Sequence, residues 1–234
     1  MARLDKVLSS LGYGSRRDVA SLCQRGRVTD LTGKPLTKPE QHVKPADILF
    51  DRQPLDHPDG VFIVMHKPLG VTCSHDRREG DLVYDLLPDR WQTRLPVVAS
   101  IGRLDKETSG VLVLTDNGQW IHRLASPKHH VEKTYVATTS APLDPSLIER
   151  FASGTLILDG ETTPCLPAKL SLSGPCEAEV IVTEGRYHQV RRMFAACGHH
   201  VESLHRTRFG PYHCDDLQPG EWTDVADPDG VSYH

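Results

Sequence analysis

"GRLDKETSGVLVL", residues 102–114, places one carboxylate, Asp105, ahead of a Thr108-Ser109-Gly110 turn and the apolar run Val111-Leu112-Val113-Leu114. The run, closed by the turn residues Asp116-Asn117-Gly118, reads as a strand and its exit. Asp105 admits two readings. An aspartate in such a place most often caps a turn through its own side chain; the other reading is a carboxylate held for chemistry. Local pattern favours the turn.

The segments on either side set the fold class. "VFIVMHKPLG" (61–70) reads as a strand ending in a Lys67-Pro68-x-Gly70 turn, and "VYDLLP" (83–88) as a short helix. "VVASIGRLD" (97–105) reads as a strand that carries Arg103 on the same side as Asp105. Downstream, Asp116 or Asn117 should cap a helix through Trp120, Ile121 and Leu124, followed by a strand in "EKTYVATTS" (132–140). "DPSLIERFASG" (144–154) predicts a capped helix and "CEAEVIVTEG" (176–185) a strand. "RYHQVRRMFAACG" (186–198) predicts an amphipathic helix with Val190, Met193, Phe194 and Cys197 inward and Gly198 as its stop. Strands and helices alternate too irregularly for a doubly wound sheet, so the expected class is α+β with a mixed, mainly antiparallel sheet.

The first fifty residues have a different character. Leu4, Val7, Leu8 and Leu11 recur at helical spacing, and Ser15 with Asp18 forms the capping signature of a second helix that stops at Gly26. "RVTDLTGKPL" (27–36) and "HVKPADILF" (42–50) supply short strands. The segment holds nine Lys or Arg against five Asp or Glu, whereas the whole 234-residue chain is net −4. Arg16, Arg17, Arg25 and Arg27 cluster at the two ends of the second helix. Arginine at a helix start opposes the helix dipole, which a bound polyanion would offset. "DRQPLDHPDG" (51–60), dense in Pro, Asp and Gly, is the expected linker between domains at 1–56 and 61–234.

Composition excludes several classes. No apolar run is long enough to span a membrane, and the N-terminus lacks a hydrophobic signal core, so a cytoplasmic location is expected. The six cysteines show no C-x-x-C pair and read as reduced thiols; the thirteen histidines show no ligand spacing, so no metal site is expected. Cys73 and Ser74 beside His75 lie on an extended segment where neighbours face apart, which disfavours a nucleophile dyad. Tyr135 is by default a core tyrosine, or a platform for a nucleobase if it faces a cleft. Arg186, Arg191 and Arg192 form either a solvated face or a source of positive charge opposite Asp105.

Taken in order, "HKPLG" (66–70), "GRLDKETSG" (102–110), "EKTY" (132–135) and "GRYHQVRRMF" (185–194) resemble the linked motifs of the pseudouridine synthases. The first fifty residues resemble an S4 RNA-binding domain, so the resemblance covers nearly the whole chain. It implies an S4 domain joined to a catalytic domain of pseudouridine synthase type and an enzyme without a cofactor. Asp105 matches the catalytic aspartate, Tyr135 the tyrosine that stacks on the target base, and Arg191 the basic residue paired with the carboxylate. Arg103 matches an arginine that helps extrude the nucleotide, and Leu204 an apolar residue near the base. Lys67, Arg16, Arg17 and Arg27 are expected RNA contacts. His66, where asparagine is common, receives no role.

"SPKHHVEKTY" (126–135) and "FAACGHHVESLHRTRFG" (194–210) are most similar to family members acting on 16S ribosomal RNA at uridine 516. A small-subunit assembly intermediate is the implied partner and a monomer the expected state. The alternatives are a synthase aimed at 23S rRNA and a non-catalytic rRNA-binding or assembly factor.

Overall fold

The computed structural model describes residues 1–225 and Pro228, and the chain forms two compact units. The first comprises residues 1–62, 84–99 and 115–117; the second comprises 63–83, 100–114 and the chain from Gly118 onward. The last residues of the expected 61–234 domain, 226–227 and 229–234, lie outside the described residues.

In the first unit, α1 (Leu4–Ser10) buries Leu4, Val7 and Leu8 as the spacing predicts. α2 (Arg16–Gln24) starts at the predicted capping box: Asp18 N–H donates to Ser15 Oγ (3.3 Å) and Ser15 N–H to Asp18 Oδ2 (2.9 Å). Such a cap contributes about 1 kcal/mol. Val19 and Cys23 meet the α1 stripe, with Val28, Ile48 and Leu55 completing the core. Around them lie β1 (Ala2–Arg3) paired with β3 (His42–Val43), and β2 (Val28–Asp30), β4 (Ile48–Phe50) and β5 (Gln53–Pro54) in an antiparallel sheet.

The expected linker differs from its composition. Residues 51–60 contain β5 and the buried Leu55, and Asp56 accepts from Trp91 Nε1 (2.6 Å) and from Arg90. Arg94, almost fully buried, donates to Asp56 O (3.1 Å), His57 O (2.9 Å) and Asp116 Oδ2 (2.9 Å). A Pro- and Asp-rich stretch signals irregular backbone, and here buried arginine and tryptophan donors satisfy that backbone. Segment 84–99, expected with the catalytic domain, therefore belongs to the compact unit that contains the first helices. Asp116 is likewise not a helix cap, since its carboxylate is taken by Arg94 and by Val61 N–H (2.8 Å).

The second unit contains one sheet of nine strands among the described residues: β6 (Phe62–Lys67), β7 (Ala99–Ser100), β8 (Thr108–Thr115), β9 (Lys133–Thr139), β10 (Lys169–Gly174), β11 (Glu177–Val182), β12 (Val201–Phe209), β13 (Tyr212–His213) and β14 (Trp222–Asp224). Their order is β10-β11-β9-β12-β8-β6-β14, with β13 on β12 and β7 on β8. β8 and β12 run parallel, and the pairs β10/β11, β11/β9, β9/β12, β12/β13 and β6/β14 are antiparallel. This is the mixed, mainly antiparallel sheet expected. Among the described residues three helices accompany it: α3 (Gly118–Ala125), α4 (Ser146–Ala152) and α5 (Gln189–Ala195). Phe151 of α4 and Phe194 of α5 pack with ring centroids 5.1 Å apart. Among the described residues, no helix is long and apolar enough to cross a membrane.

β8 and β12 approach very closely at Gly110. A Cβ there would lie 2.1 Å from Arg206 O and 2.7 Å from Arg206 N, and Gly110 holds φ +113°. Only glycine permits both the approach and the backbone angle.

Candidate active site

The predicted residues Asp105, Tyr135 and Leu204 line one cavity of about 670 Å³ in the second unit, together with Arg103, Lys133 and Arg206. Strand alternation explains the set: Leu204 and Arg206 point to one face of β12 and Lys133 and Tyr135 to one face of β9. Antiparallel pairing sets Tyr135 opposite Arg206, and the parallel pairing sets Leu204 opposite Thr108.

Asp105 sits in a loop rather than at the end of a strand. β7 stops at Ser100, Gly102 turns the chain at φ +72°, and Thr108 N–H closes a turn onto Asp105 O (3.1 Å). Three groups clamp the backbone that follows: Gly70 N–H donates to Lys106 O (2.9 Å), Lys67 Nζ to Thr108 O (2.9 Å) and Arg191 Nη2 to Glu107 O (2.8 Å). With its backbone anchored, the half-buried Asp105 side chain is free to face the cavity. The side-chain cap does not form, since Thr108 N–H is taken by the backbone carbonyl of Asp105, and the carboxylate lines the cavity instead.

Several expected roles change. Lys67 is fully buried, donates to Thr108 O and Pro68 O, and cannot meet RNA directly; burial pushes its ammonium below the usual lysine range. Arg191 does not pair with Asp105; its two terminal guanidinium nitrogens point instead to Val201 O (2.9 Å) and Glu107 O (2.8 Å). The side chain beside the Asp105 carboxylate is His188, with Nε2 at 3.3 Å from Oδ1. His188 adopts a left-handed φ of 49°, so α5 begins at Gln189, later than the amphipathic pattern suggests.

Arg186 and Arg192 are not a solvated face either. They grip Glu161 from α5 and its approach (2.6 and 2.7 Å), and Arg192 Nη2 also donates to Asp159 O (2.6 Å). Arg103 stays exposed at the rim, 3.8 Å from Glu79. In the first unit Arg16 and Arg17 are exposed, whereas Arg27 is forked onto Asp51 and lies 4.8 Å over the Phe50 ring, which leaves it less available to phosphate.

Sequence reasoning missed three cavity residues. His188 was hidden within a helix pattern. Lys133 is pushed down to about 8, chiefly by burial, with Arg206 adding and Glu184 opposing. Arg206 is 2% exposed; its Nε donates to Val111 O (2.8 Å), but Nη2 is buried without a hydrogen-bond partner. A buried guanidinium N–H left unpaired is costly, so its presence at a cavity wall needs an explanation. The group of side chains with metal-ligand chemistry among the described residues, His66, His205 and Cys214, is not part of the cavity lining.

The sequence profile of RNA pseudouridylate synthases matches residues 61–196, spanning every motif from His66 to Phe194. The chain belongs to that family. This RNA pseudouridine synthase is 37% identical to ribosomal small subunit pseudouridine synthase A of Escherichia coli K12, with 98% of this chain and 99% of the relative covered. It is 39% identical to the protein of the same name from Yersinia pestis, covering 94% and 93% of the two chains. A crystal structure of a pseudouridylate synthase aligns with TM-score 0.66 at 33% identity, covering 97% of each chain. The carboxylate of Asp105, the ring of Tyr135 and the side chain of Leu204 share a cavity whose volume lies in the range of small-molecule sites.

Proposed function

We propose that this pseudouridine synthase isomerises a single uridine of 16S ribosomal RNA, at position 516, within a small-subunit assembly intermediate. The observation that carries the target is similarity along almost the full length of relatives named for the small ribosomal subunit. Membership in the enzyme family argues against a merely binding or assembly role. The protein acts as a monomer in the cytoplasm, where ribosomal RNA is made available, and needs no cofactor because the reaction has no redox change.

In this reading the uridine leaves its stack, at a cost of about a few kcal/mol, and enters the cavity with Arg103 at the rim. Tyr135 stacks on the uracil and Leu204 packs beside it. Asp105 then acts as nucleophile at ribose C1′ or at base C6, or assists loss of a ribose proton to give a glycal. The N1–C1′ bond breaks, the base turns, C5 bonds to C1′ and the C5 proton departs. His188 Nε2 lies beside the carboxylate and the Lys67 ammonium acts on it from within the fold, while Arg191 positions its loop. Arg206 forms part of the cavity wall beside the nucleotide. The S4-like head, residues 1–56, holds RNA through Arg16 and Arg17.

The test is a comparison of pseudouridine maps of 16S and 23S rRNA from cells with and without the protein. Loss of one 16S pseudouridine, restored by the wild-type gene, is expected. Loss at a 23S position instead would redirect the target and leave the chemistry standing.

A further inference from the structure

His66 of the "HKPLG" motif has no role in the catalytic reading, and the fold carries it to the face of the sheet opposite the cavity. His205 lies between the cavity residues Leu204 and Arg206 on β12 and so points the other way; Ser109, its register partner on β8, shares that face. Cys214 follows β13 directly and closes a turn through Leu217 N–H to Cys214 O (3.0 Å). One ligand atom from each of His66, His205 and Cys214 lies within 4.8 Å of the other two.

The surroundings fix these side chains. His66 Nδ1 donates to Leu217 O (2.7 Å), which leaves the Nε2 lone pair open, and His205 Nδ1 bonds Ser109 Oγ (2.8 Å). A hydrogen bond on one ring nitrogen that sets the tautomer and aims the other is the usual outer-shell support of a metal-bound histidine. The backbone of His66 is also tied to the segment after Cys214, by His66 N–H to Glu221 O (2.9 Å) and Gly220 N–H to His66 O (2.8 Å). A second cavity of about 340 Å³, lined by Cys214, Asp215 and Leu217, opens beside the thiol and gives an entry path.

We propose that His66, His205 and Cys214 form a zinc site on the reverse face of the catalytic sheet. The mixed nitrogen and sulfur set suits zinc, with Zn–N of about 2.0–2.1 Å and Zn–S of about 2.3 Å in a tetrahedral shell. Such a shell puts its donor atoms roughly 3.4–3.7 Å apart, so on binding the three groups close in from separations within 4.8 Å. On binding, the Cys214 thiol loses its proton to solvent and the thiolate bonds the ion; both histidines bind as neutral imidazoles. The fourth position faces the small cavity and takes water or the Asp215 carboxylate. The ion would pin the turn after β13 to β6 and brace the back of the strand that carries Leu204 and Arg206.

The experiment uses the full chain, freed of metal by chelation and titrated with zinc and with cobalt. One zinc per chain is expected by elemental analysis, together with a thermal midpoint that rises with zinc and falls back with chelator. Cobalt should give tetrahedral visible bands and a thiolate-to-cobalt charge-transfer band that zinc abolishes. Cys214→Ser should remove the charge-transfer band and weaken zinc at least a hundredfold, and His66→Asn at least tenfold. Should Cys214→Ser not fold, alkylation of the wild-type chain decides: zinc must protect Cys214 and leave labelling of the other cysteines unchanged. A wild-type chain without the thiolate band, a band that persists in Cys214→Ser, or alkylation of Cys214 indifferent to zinc would each overturn the site.

Discussion

Arg191 reaches the Asp105 loop two residues beyond the carboxylate, donating Nη2 to the carbonyl oxygen of Glu107 at 2.8 Å, while its Nη1 holds Val201 O at 2.9 Å. One planar guanidinium thus bridges the Asp105 loop and the start of β12. Lysine carries the same charge but offers no rigid fork that can span two carbonyls. Arg191→Lys should therefore lower kcat about tenfold with little change in KM, since one hydrogen bond from a charged group is worth about 1.5–3 kcal/mol. Steady-state kinetics on an rRNA fragment checks this. A variant with unchanged kcat would mean that charge alone suffices.

Asp105→Asn keeps the size of the side chain and the backbone turn that Thr108 N–H makes onto Asp105 O. It removes the negative charge that every route of the proposed reaction draws on. Turnover should fall below detection while affinity for the RNA stays within about threefold of wild type. Tritium release from C5-labelled uridine and a filter-binding assay report the two separately.

Much of this was legible from short-range pattern. The α1 stripe, the α2 capping box, the strand through Val111–Leu114 and the cavity positions of Tyr135 and Leu204 follow from periodicity or motif, but Thr108, Ser109 and Gly110, read as a turn, are already the first residues of β8. What escaped was set by residues far apart in sequence. Composition marks 51–60 as a linker because Pro and Asp break regular structure, yet it cannot show Trp91, Arg90 and Arg94 arriving to satisfy it. A lysine before proline looks like a phosphate contact until β6 buries it under Thr108. His66, His205 and Cys214 are separated by 139 and 9 positions, so no local spacing rule could bring them together.

Arg16 and Arg17, at the first turn of α2, are exposed, whereas Arg27 is forked onto Asp51, so the proposed RNA reading puts the phosphate contacts on the first two. Arg16→Glu with Arg17→Glu should weaken RNA binding at least tenfold and flatten the dependence of affinity on salt, because each lost phosphate contact reduces counterion release. Arg27→Glu alone should have the smaller effect. Affinity measured from low to moderate potassium chloride tests both; an unaltered slope in the double variant would remove this end of α2 from the RNA surface.

Lys133 links pH to binding and to stability. Its pKa in the folded chain falls to about 8, chiefly through burial. As pH rises through 8 the cavity loses an ammonium, so affinity for a phosphate-bearing substrate should drop a few-fold between pH 7 and 9, and Lys133→Met should be flat over that range. Stability moves the opposite way. Between about 8 and the ordinary lysine value near 10.4 the unfolded chain holds a proton that the folded chain has released, so this group makes stability rise with pH. The ionised lysine is a destabilising element below pH 8, and Lys133→Met should be the more stable protein there, the gap shrinking towards pH 10. Urea titrations at several pH values check the sign.

Gly110 ties the fold to the site most directly. Its missing Cβ lets β8 lie against the backbone of Arg206, where an added methyl would meet the carbonyl oxygen at 2.1 Å, the carbonyl carbon at 2.8 Å and the nitrogen at 2.7 Å. No side-chain rotation relieves a clash with backbone, and φ +113° is unfavourable for any residue with a Cβ. Gly110→Ala must therefore push β12 away from β8, at a cost of about 2–5 kcal/mol from overpacking and backbone strain together. Because Leu204 and Arg206 lie on the displaced strand and line the cavity, the variant that still folds should lose activity beyond its loss of stability. Gly118→Ala is the control: it lies at the start of α3 with no atom within 4 Å of the added carbon, and should leave the urea midpoint unchanged or slightly raised. Equal midpoints for the two variants would show that the approach of β8 to β12 does not depend on glycine.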